Sequence, residues 1–235
     1  MKKYTYEDFL EIIETLRSEN GCPWDREQTH QSLRPYLLEE AAEALAGIRI
    51  FEQTGNPDNL VEELGDVLLQ VVLHAQIGKE EGLFTMEDVI DGVATKMVRR
   101  HPHVFGEIEV KDSAEVLQNW EEIKKQEKED KREAQTPLRE IPLEFPALLR
   151  ATKVLKKLDK HYGVKSSYTQ DLEKIKAAVA ALEDLDPNED GQNAEKQMAE
   201  ILMAASDISR ICKINGEQIL SDQVDNLVDH YEKLQ

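Results

Sequence analysis

Two acidic clusters of one shape, Glu39-Glu40-x-x-Glu43 and Glu62-Glu63-x-x-Asp66, lie 23 residues apart. Around the first, Leu37, Leu38, Ala41, Ala42, Leu45 and Ile48 recur at helical spacing. Around the second, Leu60, Val61, Leu64, Val67, Leu68, Val71 and Val72 do the same. On a helix each cluster's carboxylates fall within roughly 100° of arc. Thr54-Gly55-Asn56-Pro57 between them is a turn signal. In an antiparallel hairpin folded about residue 53, Glu40 stands level with Asp66 and Glu43 with Glu63, so four carboxylates from two helices converge. Four adjacent negative charges repel one another unless a cation joins them, and an all-oxygen cluster suits Mg²⁺, Mn²⁺ or Ca²⁺.

The ordinary reading of a glutamate pair on a helix is a solvated face, and this chain has 48 acidic residues. Two features favour a metal instead. The clusters border broad apolar faces, where a carboxylate needs a partner. Between Glu39 and Asp66 there are eight acidic residues and one basic residue, Arg49, so local cations cannot neutralise the site.

Length and charge narrow the function classes. The chain has 235 residues, enough for one large or two small domains. Its net charge of −19 argues against nucleic-acid polymers and anionic membranes as partners, whereas a small phosphorylated substrate bridged by metal is compatible with it. Cys22 and Cys212 form neither a disulfide framework nor a zinc spacing. No apolar run reaches bilayer length and the N-terminus carries no apolar signal segment, so the expectation is a soluble, cytoplasmic protein.

The pattern predicts helices and no strand, an all-α fold. The expected helices cover about 6–19 (Thr5-x-x-Asp8 as a capping box), 35–53, 57–81 (Asn56 as cap), 86–100 (Thr85 as cap) and 113–131, with 20–34 and 101–112 irregular. The stretch 121–133 is almost wholly charged, and Pro137, Pro142 and Pro146 follow it. It divides the chain into a first domain, 1–130, a charged and proline-rich linker, 131–145, and a second helical domain, 146–235, with helices near 146–161, 168–185, 192–213 and 216–233. The second domain reads as a worn copy of the first, in which Glu40, Glu43 and Glu63 become Lys174, Ala177 and Gln197. The competing reading is that any two helical units look alike at this level.

Other residues carry weaker signals. Lys96, Arg99 and Arg100 form one basic patch at i, i+3 and i+4, which fits either polyphosphate binding or surface ion pairs. Lys124, after Trp120, is a lesser candidate of the same kind. Trp24, in the loop Gly21-Cys22-Pro23-Trp24-Asp25, either stacks on a nucleobase or plugs the end of a bundle. His101-Pro102-His103 reads equally as a metal pair or as a helix-ending turn. The chain lacks a nucleophile elbow and a glycine-rich phosphate loop. Its single Glu-x-x-His, Glu27 to His30, lies outside the acidic helices, which argues against a di-iron site.

Glu39-Glu40-x-x-Glu43 followed by Glu63-x-x-Asp66 resembles the signature of the MazG nucleoside triphosphate pyrophosphohydrolases. Gly21-Cys22-Pro23-Trp24-Asp25 with Gln28-Thr29-His30, the run Arg99 to Phe105, and Asn119-Trp120-Glu121 match in the same order. The resemblance covers residues 5 to about 130 and is faint beyond. It implies MazG-like four-helix-bundle units in tandem that assemble as a homodimer or higher oligomer. It also implies cleavage of NTPs and dNTPs between the α and β phosphates, giving a monophosphate and pyrophosphate, with Mg²⁺ as cofactor and Mn²⁺ as substitute. Glu40, Glu43, Glu63 and Asp66 carry over as metal ligands, with Glu39 and Glu62 as neighbouring acids and Glu39 as a candidate base. Lys96, Arg99, Arg100, Lys124 and Trp24 are the expected substrate contacts. Two rival readings are a helical interaction module with a vestigial metal site, and a relative restricted to dUTP or dCTP.

Overall fold

The computed structural model describes residues 3–130, 136–186 and 190–232, and all the regular structure among them is helical. The chain separates into two compact units, Met1–Lys131 and Arg132–Gln235.

The first unit begins with α1 (Tyr6–Arg17), closed at its N-terminus by the Thr5–Asp8 capping box. Within the stretch expected to be irregular, a short helix α2 (Pro23–Glu27) forms, because Pro23 opens it in the required φ range. Then come α3 (Arg34–Thr54) and α4 (Asp58–Glu80). Gly55 ends α3 in the left-handed conformation, φ 71°, where a side chain would be strained. Asn56 is not the cap of α4: Pro57 holds that position, and the Asn56 side chain accepts from the Asp58 N–H. Thr85 and Asp88 form a second capping box on α5 (Met86–Arg100). The expected irregular segment after it contains α6 (Pro102–Phe105), and α7 (Ser113–Asp130) follows.

Ile13, Leu33, Val72, Leu73 and Ile77 form the buried core of this unit, with Phe9, Leu10, Leu16, Leu69 and Met86 against it. The core thus sits on the C-terminal half of α4. The N-terminal half, with the middle of α3, stands outside it and leaves Leu38, Leu45, Val61 and Leu64 at least half exposed.

In the second unit, residues of the proline-rich stretch pack inward: Ile141 is buried, and Lys157 donates to the Glu140 carboxylate at 2.8 Å and to the Pro137 carbonyl. The charged segment 131–135 lies outside the described residues. Helices α8 (Ala147–Tyr162), α9 (Tyr168–Glu183), α10 (Gly191–Ile211) and α11 (Gly216–Glu232) follow. The pair α9–α10 packs most extensively, with α8 against α10 and α11 against α8.

Candidate metal centre on the first hairpin

Helices α3 and α4 pack as a pair along their length. Gly47 sets how closely they approach: a Cβ there would lie 3.1 Å from Leu60 Cα and 3.3 Å from Asn59 Oδ1. Close backbone contact of this kind needs a residue without a side chain. One and two turns from this contact stand the acidic positions.

Carboxylate oxygens of Glu40, Glu43 and Glu63 come within 4.8 Å of one another. Glu40 and Glu63 are half-buried and Glu43 is exposed. Asp66 is half-buried one turn after Glu63. Burial first, and then the charges of Asp66, Glu43 and Glu63, push the Glu40 pKa above its ordinary value, with Glu43 also in hydrogen-bonding reach. Every group acting on Glu40 makes its negative charge harder to hold, and a hard cation removes that repulsion. The donor set therefore fits a divalent ion with oxygen preference. Glu39 and Glu62 are exposed, and helical spacing sets each about 40° in rotation from the acid four residues on, Glu43 and Asp66.

Asn59 was not singled out by the sequence. Its Nδ2 donates to Glu63 Oε1 at 2.9 Å, which fixes that carboxylate's orientation as an outer partner of a metal ligand would. The signal available was its position, one turn before Glu63 on the same stripe. Gln70, one turn beyond Asp66, is buried with Oε1 unpartnered.

The basic patch is engaged by a group the sequence reading did not assign. Arg99 and Arg100 both meet Glu127 on α7, at 2.5 and 2.6 Å. Hydrogen bonding from Arg100 outweighs burial and, with Arg99, holds the Glu127 carboxyl down at about 2. Arg100 also lies over the Trp120 ring at 5.5 Å, and Lys124 over the same ring at 5.2 Å. So Arg100, Lys124, Trp120 and Glu127 knit α5 to α7, while Lys96 is exposed and Arg99 is half-exposed. His101 and His103 lie at the α5–α6 turn with ring centroids 5.7 Å apart, and His101 Nδ1 bonds the Met97 carbonyl at 2.6 Å. That is the helix-ending arrangement.

Trp24 is 53% exposed and meets Tyr36 edge-on, with ring centroids 6.2 Å apart. It does not plug a bundle end.

An all-helical chain with a carboxylate-rich candidate metal site on a helix hairpin defines the broad class. Residues 28–105, which contain the whole acidic hairpin, match the family model of the MazG nucleotide pyrophosphohydrolase domain. The chain is 37% identical over 237 residues to the nucleoside triphosphate pyrophosphohydrolase/pyrophosphatase MazG of Thermotoga maritima, covering 98% of this chain and 85% of that protein. It is 45% identical over 149 residues to the nucleoside triphosphate pyrophosphohydrolase of Escherichia coli, 63% of this chain and 55% of that one. It is 51% identical over 153 residues to the uncharacterized protein YabN of Bacillus subtilis, 65% of this chain but 30% of that protein. The chain thus spans about half of the Escherichia coli relative and less than a third of the Bacillus one. The chain belongs to the MazG nucleotide pyrophosphohydrolase family.

Proposed function

We propose that this protein hydrolyses nucleoside triphosphates, both NTPs and dNTPs, to the monophosphate and pyrophosphate, and so clears unwanted nucleotides from the cytoplasmic pool. The observation that carries the reading is the approach of Glu40, Glu43 and Glu63 to within 4.8 Å, with Asp66 acting on Glu40. The names of the Thermotoga maritima and Escherichia coli relatives support it.

Glu40, Glu43, Glu63 and Asp66 are the residues that would hold Mg²⁺, or Mn²⁺ in its place. When bound, such an ion supplies charge neutralisation to the polyphosphate and polarises the phosphoryl oxygens. Around it the chain's own groups do the rest. Asn59 keeps Glu63 aimed. Glu39, exposed beside Glu40, takes the proton of a water attacking the α-phosphorus in line. The bond from that phosphorus to the α–β bridging oxygen breaks, and pyrophosphate leaves. Lys96 and Arg99, exposed on α5, meet its charge, with Arg100 and Lys124 as further contacts. Trp24 faces the base. No covalent enzyme intermediate is needed.

The exposed Leu38, Leu45, Val61 and Leu64 lie on the same hairpin, apolar side chains that burial against a partner would stabilise. We infer that a second copy covers it, giving a homodimer or higher oligomer. Among the described residues no helix is long and apolar enough to cross a membrane.

The test is purified protein with each NTP and dNTP, Mg²⁺ present or removed by EDTA, and the products resolved. Monophosphate with pyrophosphate, abolished by EDTA, is the expected result. Diphosphate with phosphate, or turnover undiminished in EDTA, overturns the reading. A non-catalytic interaction module would bind no stoichiometric divalent ion.

A further inference from the structure

The second unit holds a cavity of about 770 Å³ that plays no part in the site on α3–α4. Leu155 and Leu158 on α8 and Met203 on α10 give it apolar walls. Its volume suits a small organic molecule and is far larger than the space one water fills. The most buried side chains that line it are Asp171 and Asp207, 0% and 3% exposed.

One oxygen of each acid is answered from within the unit. Lys174 Nζ donates to Asp171 Oδ1 at 2.7 Å and to Ser166 Oγ at 3.1 Å, and Arg210 Nε donates to Asp207 Oδ1 at 2.5 Å. Asp171 Oδ2 is buried and has no hydrogen-bond partner. Asp207 lies within hydrogen-bonding reach of Asp171, but two carboxylates are both acceptors, and neither gives the other a donor. A buried carboxylate oxygen without a donor has lost its water and gained nothing in exchange. Asp171 lines the cavity, so a donor placed there reaches Oδ2 with at most a small turn of the carboxylate, whose terminal torsion is soft.

The surroundings select the kind of donor. A metal ion is a poor occupant, because Lys174 and Arg210 already sit on one oxygen of each acid. A phosphate is a poor occupant too, because the exposed Glu173 and Glu200 line the same cavity. With them the lining carries four acids against three cations, and two of those cations are the ones taken up by Asp171 and Asp207. A positively charged N–H group on an apolar body meets both demands. Its head gives Asp171 Oδ2 a charge-assisted hydrogen bond, and its body covers Leu155, Leu158 and Met203.

We propose that this cavity is a binding site for a small organic cation, an amine, amidine or guanidine with an apolar body, whose N–H donates to Asp171 Oδ2. The site belongs to the second unit alone and does not depend on the nucleotide reading of the first.

The experiment uses the full chain and three probes, followed by calorimetric titration and saturation-transfer NMR. Benzamidine and hexylamine carry a cationic head on an apolar body, and benzoate has the shape of benzamidine with the opposite charge. At least one of the two cations is expected to bind with one-to-one stoichiometry, and benzoate is expected not to bind. Asp171→Asn keeps the shape of the side chain and removes its charge, and should weaken the cation roughly tenfold or more. Ala177, exposed on α9, also lines the cavity. Ala177→Trp fills the space without touching either acid and should abolish binding, so it decides the matter even if Asp171→Asn fails to fold. Binding of neither cation at millimolar concentration would overturn the site, since a proton held between Asp171 and Asp207 would then be the whole answer to their proximity. Benzoate bound as tightly as benzamidine, or cation binding unchanged in Ala177→Trp, would overturn it as well.

Discussion

The hairpins α3–α4 and α9–α10 are the closest helix pairs of their units, and they treat buried acid in opposite ways. On α3–α4, Glu40 is surrounded by Glu43, Glu63 and Asp66, and all of them raise its pKa. On α9–α10, Asp171 and Asp207 are almost fully buried, yet each has a cation three residues on along its own helix. Lys174 meets Asp171 at 2.7 Å, and Arg210 meets Asp207 at 2.5 Å and reaches Asp159 on α8 at 3.5 Å. Burial pushes Asp171 up, but hydrogen bonding from Lys174, Ser166 and Asp207 leaves it lowered. Acids answered by neighbouring cations close a fold. Acids answered only by other acids need an ion from outside, and that need is what separates a candidate metal centre from a polar core.

The largest effects should break this comparison most visibly. Glu63→Ala or Asp66→Ala is expected to lower kcat by about 100-fold or more, the loss of several kcal/mol of charge stabilisation, with the helical circular dichroism unchanged. Asp207→Ala should do the reverse. It leaves the largely buried Arg210 short of its nearest partner and costs about 3 kcal/mol of stability, while turnover per folded molecule stays as it was. Gln197→Ala, at the position matched to Glu63, should change neither. A catalytic loss in Asp207→Ala or Gln197→Ala would show that the second unit takes part in the chemistry.

Much of this was legible in the sequence because helical periodicity and turn signals are local. The hairpin and the approach of Glu40, Glu43 and Glu63 to one another needed only spacing. Thr5 announced its capping box by the acid three residues on, and Thr85 was legible as a cap, its box with Asp88 appearing in the structure. Glu127 was not legible. It sits in a run of charge where nothing marks one carboxylate as the partner of Arg99 and Arg100, and that pairing depends on how α5 and α7 pack. Tyr36 looked like one more residue at the start of an apolar helix, and only the position of the Trp24 loop shows that its ring stays open. Lys174 was read as a lost acid, but not as the cation that neutralises Asp171.

A smaller effect sharpens the account of the metal site. Asn59→Ala removes the hydrogen bond that orients Glu63 and adds no charge. Outer partners of metal ligands are typically worth about 10–100-fold in affinity or activity, so a rise of that order is expected in the Mg²⁺ concentration needed for half-maximal rate. Titration of the rate with Mg²⁺ checks it. An unchanged titration would mean that Glu63 holds its orientation without help.

The smallest effect concerns stability, and here the two hairpins should respond with opposite sign. A carboxyl whose folded pKa is raised keeps its proton longer in the folded chain. Glu40 therefore contributes stability that is present below its unfolded value of 4.5 and lost as pH rises through the raised folded value. Asp171 is lowered, so its contribution is present above 3.8 and lost as pH falls through the folded value. Glu127 follows Asp171 in sign, its stability fading between 4.5 and about 2. Both tryptophans, Trp24 and Trp120, belong to the first unit, so their fluorescence reports that unit alone, whereas far-ultraviolet circular dichroism reports both. In EDTA, the tryptophan-monitored Tm should rise modestly as pH falls from 7 toward 5, then decline below about 4.5, where Glu127 takes up its proton in the unfolded chain but not in the folded one. The part of the circular dichroism signal that does not follow the tryptophan transition should hold until pH drops below 3.8. Excess Mg²⁺ should invert the first trend, because an ion binds the deprotonated carboxylates and its stabilisation weakens as protons compete. If the tryptophan-monitored Tm has the same slope between pH 7 and 5 with Mg²⁺ and with EDTA, the carboxylates of α3–α4 are not waiting for a cation, and the contrast between the two hairpins fails.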